Sequence, residues 1–247
     1  MVWIQTFRQT VTRKQELEQI RTTLRANLES INARISDICR ACGRSSDDVQ
    51  LIAVTKYAKW EWVQALAEIH SSFGESRPQQ LADRQPQLPE IQWHQIGQVQ
   101  RNKARLAVLH ASTIHSVDSL QLLKRLSLLA EQSACSVKIL LQINISGESS
   151  KSGFEPDSIL DSWEAIVRTA GPCTKLTGLM TMAPISEMSE DARPVFKQLT
   201  RLRQELNQRD STAVLTELSM GMSGDFDVAI EEGATMIRIG RALFQGL

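Results

Sequence analysis

Lys56 closes the run LIAVTK (residues 51–56), an apolar and β-branched stretch that reads as a buried strand with an ammonium group at its end. Side chains alternate along a strand, so Ile52, Val54 and Lys56 share one face while Ala53, Thr55 and Tyr57 share the other. An amine near apolar walls resists protonation, and a neutral amine attacks aldehydes. The chemistry open to Lys56 is therefore a Schiff base. Taken alone, a lysine that only snorkels to solvent from the strand end is the more economical reading.

Two loops near the C-terminus add to it. LSMGMSGDFDVAIEEGA sets Ser219, Gly221, Ser223 and Gly224 between a strand and a helix, and RIGRALF sets Gly240 and Arg241 between a strand and a last helical turn. Backbone N–H groups at such junctions, unobstructed at the glycines, can cradle a phosphate, although either loop alone could be an ordinary tight turn. Arg238 shares the strand face of Met236 and Gly240. Pointing inward it keeps its charge and needs an acceptor, either a structural ion pair or a ligand atom. An amine, a phosphate cup and a buried donor fit one ligand: pyridoxal phosphate (PLP) brings an aldehyde for Lys56, a phosphate for the loops and a ring nitrogen for Arg238.

The elements that position these residues are repetitive. Eight apolar runs, VQLIAVTK, IHSSFGE, IQWHQIG, STIHSVD, VKILLQINIS, KLTGLMTM, AVLTELSM and ATMIRIG, read as strands, with helical patterns such as SLQLLKRLSLLAEQ from Ser119 and EDARPVFKQLTRLRQELNQ from Glu190 between them. Eight strands with right-handed crossovers predict an α/β fold, a single (β/α)8 TIM barrel, with a doubly wound open sheet as the alternative. Leu17, Ile20, Leu24, Leu28, Ile31, Ile35 and Ile38 lay one apolar stripe along an added N-terminal helix, expected over about residues 12–42 with a capping box at Thr12 and Gln15. The stripe is expected to pack on the barrel of about residues 50–247, all in one domain spanning 1–247, with a coiled-coil seam as the alternative.

Composition narrows the classes. With 28 Lys and Arg against 28 Asp and Glu, the chain lacks the basic excess of a nucleic-acid binder, and no long apolar run is available to span a membrane. The run Arg101, Lys103, Arg105 carries no interleaved aromatic residues and reads as a solvated helix face. The first residues, MVWIQTFRQT, do not read as a secretory signal, so a cytoplasmic protein is expected. Cys39 and Cys42 form a C-x-x-C at a helix end before Gly43, where the dipole disfavours a thiolate. Small structural residues are expected there, with neither a redox pair nor a metal site. GESSKS (147–152) lacks the second glycine of a nucleotide-binding phosphate loop and reads as a solvated loop.

The strings LIAVTK, FGESR, WHQIGQVQRNK, HSVDS, SGESSKSGF, GLMTMAP and LSMGMSGDFDVAIEEGATMIRIGRALF, in this order from Leu51 to Phe244, resemble the pyridoxal phosphate homeostasis family. The resemblance implies a fold-type-III barrel similar to the N-terminal domain of alanine racemase. It implies PLP held as an aldimine on Lys56, Arg238 at the ring nitrogen, and Ser223, Gly240 and Arg241 at the phosphate, with Ser219 a weaker candidate there. Ser76, a candidate cofactor contact, stands where the family usually has Asn, and Ala58 to Trp60 replace a frequent Pro. His94 matches the family string, although a satisfied core histidine is the plainer role. The implied function is vitamin B6 and amino-acid homeostasis without assigned catalysis. The implied partners are PLP, other B6 vitamers and PLP-dependent apoenzymes, and the expected state is a monomer. The alternative is a racemase-like PLP enzyme. Against it, a ring-facing arginine weakens the electron sink, and Tyr57, the only tyrosine, should point away from Lys56.

Overall fold

The computed structural model describes residues 2–148, 152–210 and 212–247, with side chains from residue 13 onward. The eight expected runs form β1 (Gln50–Val54), β2 (Ser72–Glu75), β3 (Gln92–Gln95), β4 (Thr113–Val117), β5 (Val137–Gln142), β6 (Thr174–Met180), β7 (Glu217–Ser219) and β8 (Met236–Ile239). They pair in parallel and in chain order into a closed barrel. Closure is made by β1 against β8, with Gln50 opposite Met236 and Ile52 opposite Arg238, which excludes the open sheet.

Alternation along the strands separates two packed regions. Ile52, Leu140, Met180 and Met236 meet inside the barrel. Leu51, Ala53, Phe73, Ile114, Ile139, Leu179 and Leu218 face outward into the larger core shared with the helices. Those helices are α1 (Val2–Ala41), α2 (Trp60–Ala67), α3 (Pro78–Arg84), α4 (Ala104–His110), α5 (Leu120–Gln132), α6 (Pro156–Thr169), α7 (Arg193–Arg209) and α8 (Phe226–Glu231). Ser119 caps α5, its hydroxyl accepting from the Leu122 amide at 3.3 Å.

α1 supplies an added outer helix, and residues 240–247 run in turns and not in the expected last helical turn. It packs on α2 and α8. Leu24, Leu28, Ile31, Ile35 and Cys39 are buried there, each aliphatic side chain contributing about 1.5–3 kcal/mol. Arg21 pairs with Glu68 at 2.6 Å, Arg34 pairs with Asp227, and Asn27 donates to the Leu243 and Gln245 carbonyls. The helix begins at Val2 and not near residue 12, since no glycine or proline interrupts residues 2–41, so the expected cap at Thr12 is mid-helix. It stops at Gly43, whose φ of +72° is the left-handed conformation glycine adopts freely. The Cys39 thiol is buried and its pKa raised by that burial, and Cys42 is free. Among the described residues no helix is long and apolar enough to cross a membrane. Residues 149–151 of the GESSKS loop, Lys151 included, lie outside the described residues.

Candidate functional site

A cavity of about 510 Å³ opens at the C-terminal ends of the strands. It is lined by Val54 and Lys56 after β1, Ser76 after β2, Ile96 to Gln98 after β3, Gln142 on β5, Met182 to Ser186 after β6, Met222 to Asp225 after β7, and Arg238, Gly240 and Arg241 at β8. Six expected site residues, Lys56, Ser76, Ser223, Arg238, Gly240 and Arg241, therefore meet at one cavity. Ser219 and His94 do not line it.

β1 ends at Val54, so Lys56 stands two residues past the strand and is exposed at the cavity mouth, not enclosed by apolar walls as its phase alone suggests. Its Nζ lies 5.1 Å from the Tyr57 ring centroid, so past the end of β1 the tyrosine does not point away from the lysine as strand alternation predicts, although Tyr57 is 85% exposed and does not line the cavity. The turn that carries Lys56 is held from below. Arg84 donates to the Thr55 carbonyl at 2.9 Å, the Ala58 carbonyl at 2.9 Å and Glu75 Oε1 at 2.6 Å, and Thr55 Oγ1 donates to Glu75 at 2.5 Å. Burial pushes the Glu75 carboxyl up, while Thr55 and Arg84 pull it back. Sequence reasoning did not single out Glu75 or Arg84. An acid closing the apolar run SSFGE was the available signal.

The loop after β7 turns at Gly221, whose φ is +92° and where a Cβ would come within 2.6 Å of the Ala229 Cβ, so only glycine fits. Asp225 accepts from the Met222 amide at 2.5 Å and fixes the loop's return into α8. The amides of Ser223, Gly224 and Arg241, all cavity-lining residues, find no acceptor among the described residues. Three free amides on two adjacent loops suit an anion.

Arg238 is 5% exposed. Its NH1 donates to Ser219 Oγ at 2.6 Å and its NH2 to the Thr181 carbonyl at 3.0 Å, and no carboxylate pairs with it among the described residues. Burial lowers its pKa to about 10, with Asp225 opposing, so it stays charged at neutral pH. Ser219 is fully buried behind Arg238, where it also bonds His115 Nδ1 at 2.8 Å. His94 lies deeper, bonded to Ser72 at 3.1 Å and to His115 at 2.9 Å, with burial lowering its pKa to about 3. His115 and Thr181 were not anticipated from sequence.

One amine at the mouth, one buried guanidinium without a carboxylate partner and a cup of free amides are the three contacts PLP needs, so the residues present fit that group. Lys56 would hold its aldehyde carbon, Arg238 its ring nitrogen, and Ser223 with the Gly240–Arg241 backbone its phosphate.

The family model described as "Alanine racemase, N-terminal domain" matches residues 26–247. The pyridoxal phosphate homeostasis protein of Aquifex aeolicus is 36% identical over 220 residues, covering 88% of this chain and 95% of that protein. Its counterpart in Vibrio cholerae is 36% identical over 230 residues, covering 90% and 95%. The solved structure of PipY from Synechococcus elongatus with PLP bound is 35% identical, covers 85% of this chain and 99% of that one, and has a TM-score of 0.74. Alanine racemase of Clostridium difficile, at 15% identity, a TM-score of 0.70 and coverage of 90% and 56%, shares the fold. The family-model match and the closed barrel place the chain in the alanine racemase N-terminal-domain class. Within that class, the chain belongs to the pyridoxal phosphate homeostasis protein family.

Proposed function

We propose that this protein binds pyridoxal 5'-phosphate as a Schiff base on Lys56 and serves vitamin B6 and amino-acid homeostasis by taking up and releasing the cofactor, without a turnover reaction. The observation that carries this reading is the convergence of Lys56, Arg238 and the free amides of Ser223 and Arg241 on one cavity. PLP bound here would supply an electrophilic carbon for reversible capture by amines. Arg238, a permanently charged donor, favours an unprotonated ring nitrogen and so a weak electron sink. The only tyrosine, Tyr57, is exposed and outside the cavity, which supports a carrier over a racemase that needs a second acid–base group opposite the lysine. Exposure of Lys56 at the mouth supports exchange with an incoming amine. The reading extends to a monomer in the cytoplasm that hands PLP to PLP-dependent apoenzymes.

The test is solvent deuterium exchange at the α-carbon of a panel of amino acids, run beside transfer of PLP from loaded protein to an apoenzyme. Transfer without exchange is expected. Exchange that proceeds catalytically and is lost in Lys56→Ala would establish the enzyme instead.

A further inference from the structure

The barrel interior holds a file of polar side chains that cofactor binding alone does not call for. Ser72 on β2, His94 on β3, His115 on β4 and Ser219 on β7 are each 3% exposed or less. Ser72 Oγ lies 3.1 Å from His94 Nε2, His94 Nδ1 lies 2.9 Å from His115 Nε2, and His115 Nδ1 lies 2.8 Å from Ser219 Oγ. Ser219 Oγ accepts from Arg238 NH1 at 2.6 Å. At the other end Gln50 Nε2 donates to Ser72 Oγ at 3.1 Å, and Gln50 borders a separate polar cavity with Arg44 and Glu217. The file thus runs through the barrel from its N-terminal end to the guanidinium.

Burial lowers the pKa of both histidines, so each is neutral and carries one N–H. A neutral imidazole donates through one nitrogen and accepts at the other, so the bonds cannot be oriented independently: setting one sets the rest. Two polarities exist. In the first, Ser219 O–H donates to His115 Nδ1, His115 Nε2–H donates to His94 Nδ1, and His94 Nε2–H donates to Ser72 Oγ. In the second every bond is reversed, and the Ser219 hydrogen is left over in a fully enclosed position.

Two features select the first polarity. The charge of Arg238 attracts the oxygen end of the Ser219 hydroxyl and repels its hydrogen, and the same field aligns each dipole behind it. The unmatched hydrogen then falls on Ser72, beside the half-buried Gln50, where water is nearer.

We propose that His94 and His115 are positioning residues for Arg238: held as Nε2–H tautomers, they turn the Ser219 hydroxyl away so that its lone pairs clamp the guanidinium with its remaining N–H groups toward the cavity. The inference rests on reading Arg238 as the cation that faces the PLP ring. It is tested first without PLP. Nitrogen-15 correlation spectra of the unloaded protein should show both Nδ1 atoms unprotonated and both Nε2 atoms protonated, and Arg238→Met should abolish that uniform pattern. A protonated Nδ1 on either histidine of the wild-type protein, or a pattern unmoved by Arg238→Met, would overturn it. In the PLP-loaded protein, His115→Phe should alter the cofactor absorbance and speed PLP release by about tenfold, as expected for loss of one buried hydrogen bond. His115→Gln, whose amide can accept from Ser219 and donate to His94, should restore most of the wild-type behaviour. Unchanged absorbance and release in His115→Phe would refute the link to the cofactor. Failure of the wild-type protein to bind PLP would instead sink the cofactor reading, since the tautomers are read in its absence.

Discussion

Replacing Arg84 by Met removes the clamp beneath the lysine turn while keeping most of the side-chain volume. Three bonds go: those to the Thr55 and Ala58 carbonyls at 2.9 Å each and to Glu75 at 2.6 Å. The Arg84 side chain is 11% exposed and that of Glu75 is 0% exposed, so the loss strands a buried carboxylate. Breaking such a pair costs about 3–5 kcal/mol, which for a chain of this size lowers Tm by about 6–20 °C. The pH dependence has a definite sign. The folded-state pKa of Glu75 lies above its ordinary 4.5, burial being the largest cause. The folded protein therefore binds more protons between 4.5 and the raised value, and this group's contribution to stability falls as pH rises through that window. Without Arg84 two of the influences that lower this pKa vanish and the window widens. Urea titrations of wild type and Arg84→Met should accordingly show a deficit that is larger at pH 8 than at pH 5. Adding Glu75→Gln, which removes the charge, should recover part of it. A deficit under about 0.5 kcal/mol, or one independent of pH, would refute the clamp.

Pyridoxine phosphate, which has no aldehyde, should compete with PLP. Pyridoxal, which has no phosphate, should bind about tenfold more weakly for every 1.4 kcal/mol the cup contributes, and equal affinities would refute the cup. Gly240→Ala should fold, because a Cβ there meets Val54 at an ordinary 3.4 Å, yet should narrow the PLP-over-pyridoxal preference by crowding the anion. Gly97→Ala should behave differently: a Cβ there would come within 2.3 Å of the Ser76 carbonyl oxygen, so thermal denaturation should register a loss of about 2 kcal/mol or more. A wild-type Tm for Gly97→Ala would show that the Ser76 backbone yields freely.

The barrel was legible because alternation and helical period repeat eight times, and closure follows from having enough strands to bring β8 back to β1. The extent of α1 was not. A local cap signal at Thr12 and Gln15 reads as a start, but nothing in residues 2–11 forbids continuing the helix. That Lys56, Arg238, Ser223, Gly240 and Arg241 share one cavity could be read from strand phase and loop position, both local properties. The phase of Lys56 did not foretell its exposure, which depends on where β1 stops. Ser219 has the inward phase but a depth one layer below the cavity, and depth is a property of strand register around the barrel. The partnerships of Glu75 with Arg84 and of His94 with His115 join side chains on different elements, and no single stretch of chain encodes such a meeting.

Borohydride reduction of the PLP-loaded protein followed by peptide mapping tests the central claim most directly. The account predicts loss of the cofactor's visible absorbance and a pyridoxyl label on Lys56 alone, absent from Lys56→Ala. A label found chiefly on Lys59, Lys103 or another lysine, or loading that survives Lys56→Ala with an unchanged spectrum, would contradict it.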